Sequence, residues 1–214
     1  MYVPGHFAMD DAAVQDLLAH HGAGDLVTAT DEGLISTLLP FVFDPASGPH
    51  GALLGHFARN NEHWRLAPVG EAMVILRGPD AYITPNWYAS KSEHGRVVPT
   101  WNYVTAHVYG ELVIHDDVAW LDDLVRRLTE KHEAGQARPW SPDDAPPAFV
   151  AGQLRAIVGV ELRISRIEAK AKLSQNRPAA DIDGVVEGVG GHGNVAMADA
   201  VQAARAIGSH HSSS

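Results

Sequence analysis

Four stretches of this 214-residue chain gather side chains that can hold a ligand. In residues 98–103 (VPTWNY) and 82–88 (YITPNWY), Trp87, Tyr88 and Trp101 offer flat faces to a planar ring. Thr100 and Asn102 beside them can hydrogen-bond its edge. A hydrophobic loop packed on itself would use the same residues. Residues 172–177 (KLSQNR) set Ser174, Gln175 and Asn176 between Lys172 and Arg177, a mixture that suits phosphate or carboxylate better than a solvated charge run does. In residues 53–64 (LLGHFARNNEHW), Gly55 lets backbone approach a ligand, and His56, Arg59, Asn60 and Asn61 cluster over a helix start. A helix N-terminus and an arginine fork both suit phosphate. An ordinary capped helix with a surface arginine fits that segment equally well.

Other patterns carry less. Residues 188–193 match G-x-G-x-x-G, but the dinucleotide fingerprint must follow a strand and open a helix, with an acid about 20 residues further on. Here the run follows Gly184-Val185-Val186-Glu187 near the C-terminal end, and a flexible linker is the default reading. The 13 histidines form no HExxH, and His20-His21 stands at a helix end, where exposure is the simpler account.

The elements that must position these groups are mostly strands. Asp10 and Asp11 can cap a helix through His21, with Val14, Leu17 and Leu18 on one face. Residues 25–30 and 35–43 read as a hairpin around Gly33, and residues 51–57 as a third strand. Asn60 or Asn61 can cap a brief helix, with a strand at 72–76 beyond it. A short strand at 81–84 leads into a long ordered loop up to Thr100. Residues 102–115 are a strong strand, 116–133 a helix with Leu121, Leu124 and Leu128 at helical spacing, and a proline-rich connector introduces another helix. The alternation of Val158, Val160, Leu162 and Ile164 with Gly159, Glu161, Arg163 and Ser165 marks a strand with one buried face, running toward KLSQNR. Weakly apolar helical segments follow, and residues 208–214 are a low-complexity tail. Six or seven strands without βαβ alternation imply an antiparallel barrel with helical additions, mainly β with helices.

With 45% hydrophobic residues, the chain can bury one sizeable core. The absence of cysteine removes disulfides and thiolate chemistry and fits a reducing compartment. No stretch reaches the roughly 20 apolar residues of a membrane span. The start MYVPGHFAMDD lacks a signal peptide's basic and apolar regions, so the expected location is cytoplasmic, with no membrane partner. Sixteen Lys plus Arg against 26 Asp plus Glu give a formal charge of −10, opposite in sign to a nucleic-acid footprint, so DNA is not the expected direct partner.

MYVP at Met1, GHFARNN at Gly55, GPDAYITPNWY at Gly78, VPTWNY at Val98, IVGVEL at Ile157 and KLSQNR at Lys172 resemble, in order, the motif set of PaiB-type proteins, described as FMN-binding negative transcriptional regulators. The resemblance spans residues 1–180, implying a split-barrel cofactor-binding domain there and a helical or flexible tail over 181–214. It implies the FMN-binding split barrel related to pyridoxamine phosphate oxidase, a homodimer with FMN at the subunit interface. It further implies that residues 35–41 and GHFARNN meet the flavin and its phosphate, with Arg59 on the phosphate, and that TWNY and KLSQNR complete the pocket. One departure stands at Leu38, where relatives often carry THLP and this chain carries TLLP. A related branch uses haem b to form a nitrogen–nitrogen bond, making piperazate from hydroxyornithine. Under that alternative His56 would be the iron ligand and a small hydroxylated amine the substrate. A DNA-binding repressor is the third reading.

Overall fold

The computed structural model describes residues 1–211, with side chains through residue 206; positions 212–214 of the low-complexity tail lie outside the described residues. Seven strands form one sheet in the order β2-β1-β5-β6-β7-β4-β3. These are β1 (Ala23–Thr30), β2 (Gly33–Pro40), β3 (Val42–Asp44), β4 (Ala52–Ala58), β5 (Ala72–Ile83), β6 (Thr100–His115) and β7 (Ile157–Lys172). Among the described residues six α-helices accompany them: α1 (Asp11–His20), α2 (Ser90–His94), α3 (Val118–Glu133), α4 (Pro147–Leu154), α5 (Ala179–Gly191) and α6 (Val195–His211). β1 pairs antiparallel with β2 and β5, and β4 pairs antiparallel with β3 and β7.

Local chemistry accounts for several of the element starts. Asp10 Oδ1 accepts the Ala13 amide ahead of α1, and Asp117 caps α3 by accepting from Trp120 N at 2.9 Å. Asn61, rather than Asn60, caps the short 3-10 helix Glu62–Arg65 by accepting from His63 N. Gly33, with φ 113°, supplies the left-handed turn that a side chain would strain in the β1–β2 hairpin.

Two strand boundaries differ from the expectation. The single strand expected over 35–43 is two strands, because the chain breaks at Phe41, whose fully buried ring lies over Gly55; a Cβ there would come within 2.9 Å of it. Conversely, the segments expected at 72–76 and 81–84 are one 12-residue strand, β5, running through Gly78-Pro79. That pair reads as a break because proline gives no ladder donor. At Gly78 the reason for glycine is proximity: a Cβ there would lie 2.8 Å from Val104 Cβ.

The chain divides into two compact units, one of Met1–Val14, Arg77–Ala106 and the segment from Glu168 onward, the other of Gln15–Leu76 and His107–Ile167. The first has a core of Ile83, Tyr88, Leu173, Ile182, Val185, Val189, Met197 and Val201. In the second, Leu124 and Leu128 of α3 pack on Val42, Ala52 and Leu54 of β3 and β4. The glycine run read as a linker is helical instead, since Gly188 to Gly191 close α5. One turn apart on that helix, Gly184 and Gly188 lie under Trp87, so closely that a Cβ at Gly184 would fall on the Trp87 carbonyl oxygen and one at Gly188 on its indole. Glycine here is a packing requirement.

Candidate functional site

In the first unit, the ends of β5, β6 and β7 bring together most of the residues singled out in the sequence. Alternation along β6 turns Asn102 to one side and Trp101 to the other. Asn102 is fully buried and donates through Nδ2 to Ser174 Oγ at 2.9 Å. Ser174 is the one non-glycine residue with positive φ among the described residues, at 62°, and is itself buried. Such a conformation costs on the order of 1 kcal/mol or more and persists where neighbours hold it. Gln175 folds back as a clamp: Oε1 accepts from Leu173 N and Nε2 donates to Ala171 O, both at 2.6 Å. Arg177 lies over the Tyr88 ring at 4.6 Å from guanidinium carbon to centroid, and its amide donates to Ser174 O at 2.9 Å. The amides and hydroxyl of KLSQNR thus build a tight turn, with Asn176 left exposed.

The outward groups are different ones. Trp101 and Tyr82 are each half exposed, with ring centroids 6.2 Å apart, and the indole Nε1 donates to Asp80 Oδ1 at 2.9 Å. Lys172 donates to Thr100 Oγ1. Lys170, two residues earlier on β7 and so on the same face, is buried among aromatic rings. Residue reading missed Lys170, although the spacing Glu168, Lys170, Lys172 marks a charged strand face.

Trp87 and Tyr88 follow β5 in a 3-10 turn capped by Thr84. Trp87 docks on α5 and does not stand free as a stacking face. Tyr88 is nearly fully buried, its hydroxyl without a hydrogen-bond partner among the described residues, and burial raises its phenol pKa. Behind this loop Asp181, almost fully buried, accepts from Ser90 N at 2.9 Å and Ser90 Oγ at 2.7 Å, tying α5 to the start of α2.

His56, Arg59 and Asn60 belong to the second unit. The reading of Arg59 as a phosphate fork meets a physical obstacle. Its Nη1 and Nη2 donate to the two Asp116 carboxylate oxygens at 3.0 and 2.5 Å, and its Nε and Nη2 donate to the carbonyls of Arg155 and Ile157 at 2.7 and 2.8 Å. The pairing raises the arginine pKa and lowers that of Asp116. With four hydrogen bonds to its own chain, the guanidinium is a brace joining the end of β4 to the start of β7. Asn60 is exposed in the turn that follows. His56, half-buried on β4, keeps Nδ1 buried without a hydrogen-bond partner among the described residues, and burial lowers its pKa, favouring the neutral imidazole. Residue reading also missed His63, fully buried with Nδ1 2.8 Å from Thr37 Oγ1 and Nε2 2.9 Å from Thr28 Oγ1. Among the described residues no three His, Asp or Glu converge as a metal site, and no helix is long and apolar enough to cross a membrane.

The antiparallel sheet with its peripheral helices is a split barrel. Among solved structures it is shared with the conserved hypothetical protein Rv2991 of Mycobacterium tuberculosis, at TM-score 0.56 and 14% identity over 83% of this chain and 94% of that one. The flavocytochrome Anf3 of Azotobacter vinelandii shares it at TM-score 0.56 and 13% identity, over 76% and 67%. The family model described as "Putative FMN-binding domain" matches residues 1–166, and the chain belongs to that family. "Protease synthase and sporulation protein PAI 2" of Bacillus subtilis is 33% identical over 192 residues, 87% of this chain and 88% of the relative, in keeping with the PaiB-type motif set.

Proposed function

We propose that the chain is a dimeric FMN-holding flavoprotein whose ring site is the outward face of β5 and β6 and whose phosphate is met by Lys172. The observation that carries this reading is the juxtaposition of two half-exposed aromatic rings, Tyr82 and Trp101, with a cation at the end of the neighbouring strand β7. An isoalloxazine ring needs flat apolar contact and a phosphate needs a charge-assisted donor, and the residues present fit both requirements. FMN, once bound, supplies hydride or single-electron chemistry; the chain binds it, orients it and sets its surroundings. The turn built by Asn102, Ser174 and Gln175 fixes the end of β7, so Lys172 leaves the sheet in one direction. Asp80 holds the Trp101 indole through Nε1 and so fixes its plane.

Homodimerisation, expected from the resemblance, finds support in β2, an edge strand whose outer face exposes Leu34 at 80% and Leu38 at 65%. A regulatory output fits this reading without direct DNA contact, because the formal charge is −10. The test is the absorption spectrum after incubation of the purified protein with FMN and desalting. A retained flavin double band with quenched Trp fluorescence is the expected result. A colourless protein with unquenched fluorescence excludes the reading.

His56 favours a second reading, haem b in place of FMN and a synthase acting on a small hydroxylated amine. Burial keeps the His56 imidazole neutral, and a neutral imidazole is a common axial donor. Here haem addition gives a Soret band that His56→Ala abolishes. In the FMN reading the same substitution leaves flavin retention nearly intact.

A further inference from the structure

Lys170 is only 9% exposed, yet among the described residues no carboxylate bonds its ammonium group. Glu168, on the same strand face, is paired with the Met1 amino group. What surrounds Lys170 Nζ is an aromatic box: Tyr103 of β6 at 5.3 Å, Phe7 at 5.8 Å and Tyr2 at 5.9 Å from ring centroid. Its hydrogen bond goes to the Tyr2 carbonyl at 3.3 Å. The segment that supplies Tyr2 and Phe7 is held at its far end by the isolated bridge of Ala8 to Lys170.

An ammonium group has three donors, and a buried one is costly without a compensating negative charge. Ring quadrupoles and one long carbonyl contact compensate only in part. The Met1–Ala8 segment therefore covers a cation whose charge it does not neutralise. An oxyanion would bond this ammonium more strongly than a neutral carbonyl does. Lys172 stands two residues away on the same strand face, with its own ammonium group bonded to Thr100 Oγ1.

We infer that Lys170 is a phosphate-binding residue held under the Met1–Ala8 strap, and that a phosphate exchanges with the Tyr2 carbonyl and releases the strap. For FMN this rests on the flavin reading above; for inorganic phosphate it stands alone. The chemistry is shared by free phosphate and a flavin phosphate tail, and riboflavin, which has the ring without the phosphate, separates the two.

The experiment measures amide hydrogen exchange at residues 2–8, together with binding of FMN, riboflavin and inorganic phosphate, in the full chain and in Lys170→Met and Lys170→Arg. The wild-type strap should exchange faster when saturated with FMN or phosphate and remain unchanged with riboflavin. Lys170→Met should weaken FMN binding about tenfold or more without altering riboflavin affinity, and Lys170→Arg should restore it. If Lys170→Met fails to fold, the wild-type exchange measurement still decides. If FMN does not bind even the wild type, the flavin reading fails, and phosphate alone tests Lys170. Strap exchange unmoved by both FMN and phosphate, or FMN affinity unchanged in folded Lys170→Met, overturns the inference.

Discussion

At the scale of single residues, the structure separates groups that brace the fold from groups that face outward. Arg59 is the clearest case of the first. Residue type and position suggest an anion fork, but the donors close on Asp116 and two carbonyls, partners 57 to 98 residues away that no local reading shows. Arg59→Ala should lower the melting temperature and leave FMN affinity within about twofold, since the expected loss is a brace and not a ligand contact. A calorimetric scan beside a fluorescence titration checks it; unchanged stability with weakened FMN would return Arg59 to the phosphate. His21 is a second concealed group. Its ring is buried, Nδ1 lies 2.6 Å from Leu18 O, and Nε2 has no partner among the described residues. Burial and then the Lys131 charge push its pKa down to about 4, against 6.5 for the ordinary imidazole. The unfolded chain therefore takes up this proton first. The stability contributed by neutral His21 is complete above pH 6.5 and drains away as the pH falls toward 4, by roughly 3 kcal/mol in all. Urea midpoints at pH 7 and pH 4.5 should converge by that amount in His21→Gln relative to the wild type; an equal acid loss in both proteins would assign the effect elsewhere.

Among the elements, what could be read from the chain was set by whether the cause is local. The cap of α1 at Asp10, the hairpin at Gly33, helix α3 and the strand after Val158 follow from capping chemistry and periodicity, and each stands where residue types put it. The continuity of β5 through Gly78-Pro79, the break at Phe41 and the helical glycines of α5 depend on residues distant in sequence: Val104, Gly55 and Trp87. The candidate site divides in the same way. Trp101 is half exposed and Lys172 half-buried against Thr100 Oγ1, whereas Asn102, Ser174 and Gln175 are consumed by a turn that becomes visible only when β6 and β7 are adjacent. The glycine account of α5 makes a paired prediction. Gly184→Ala places a methyl group on the Trp87 carbonyl and should cost about 1–3 kcal/mol by displacing the helix from its seat. Gly190→Ala lies on the same helix, with its nearest neighbour, Ala198 Cβ, at 3.7 Å, and should be neutral or stabilising by up to about 1 kcal/mol through helix propensity. Denaturant unfolding of the two variants checks this, and equal effects at both sites would show that Trp87 does not set the requirement.

For the whole molecule, the proposed dimer must account for an edge strand that a monomer would not favour. A sheet edge offers unpaired backbone groups to any other chain, and natural proteins usually blunt it with charge, proline or cover. β2 ends in Pro40, but its outer face carries Leu34 and Leu38, and across the register β1 adds Asp25, Val27 and Ala29 opposite Leu38, Ser36 and Leu34. The one charge on that face, Asp25, is half-buried and stands opposite Leu38. Leu38 adds exposed apolar surface there, and burying an exposed leucine is worth roughly 1.5–3 kcal/mol. Two such residues on each of two chains would contribute enough to matter in a self-complementary contact, where each appears twice by symmetry. The double substitution Leu34→Glu, Leu38→Glu should therefore convert a dimer into a monomer in light scattering at micromolar concentration. Each isolated chain should keep its far-ultraviolet circular dichroism, because neither side chain enters a core. If flavin retention is lost together with the dimer, the cofactor depends on both subunits; if it survives in the monomer, the face of β5 and β6 suffices. A variant that stays dimeric with both glutamates in place would move the interface to another surface.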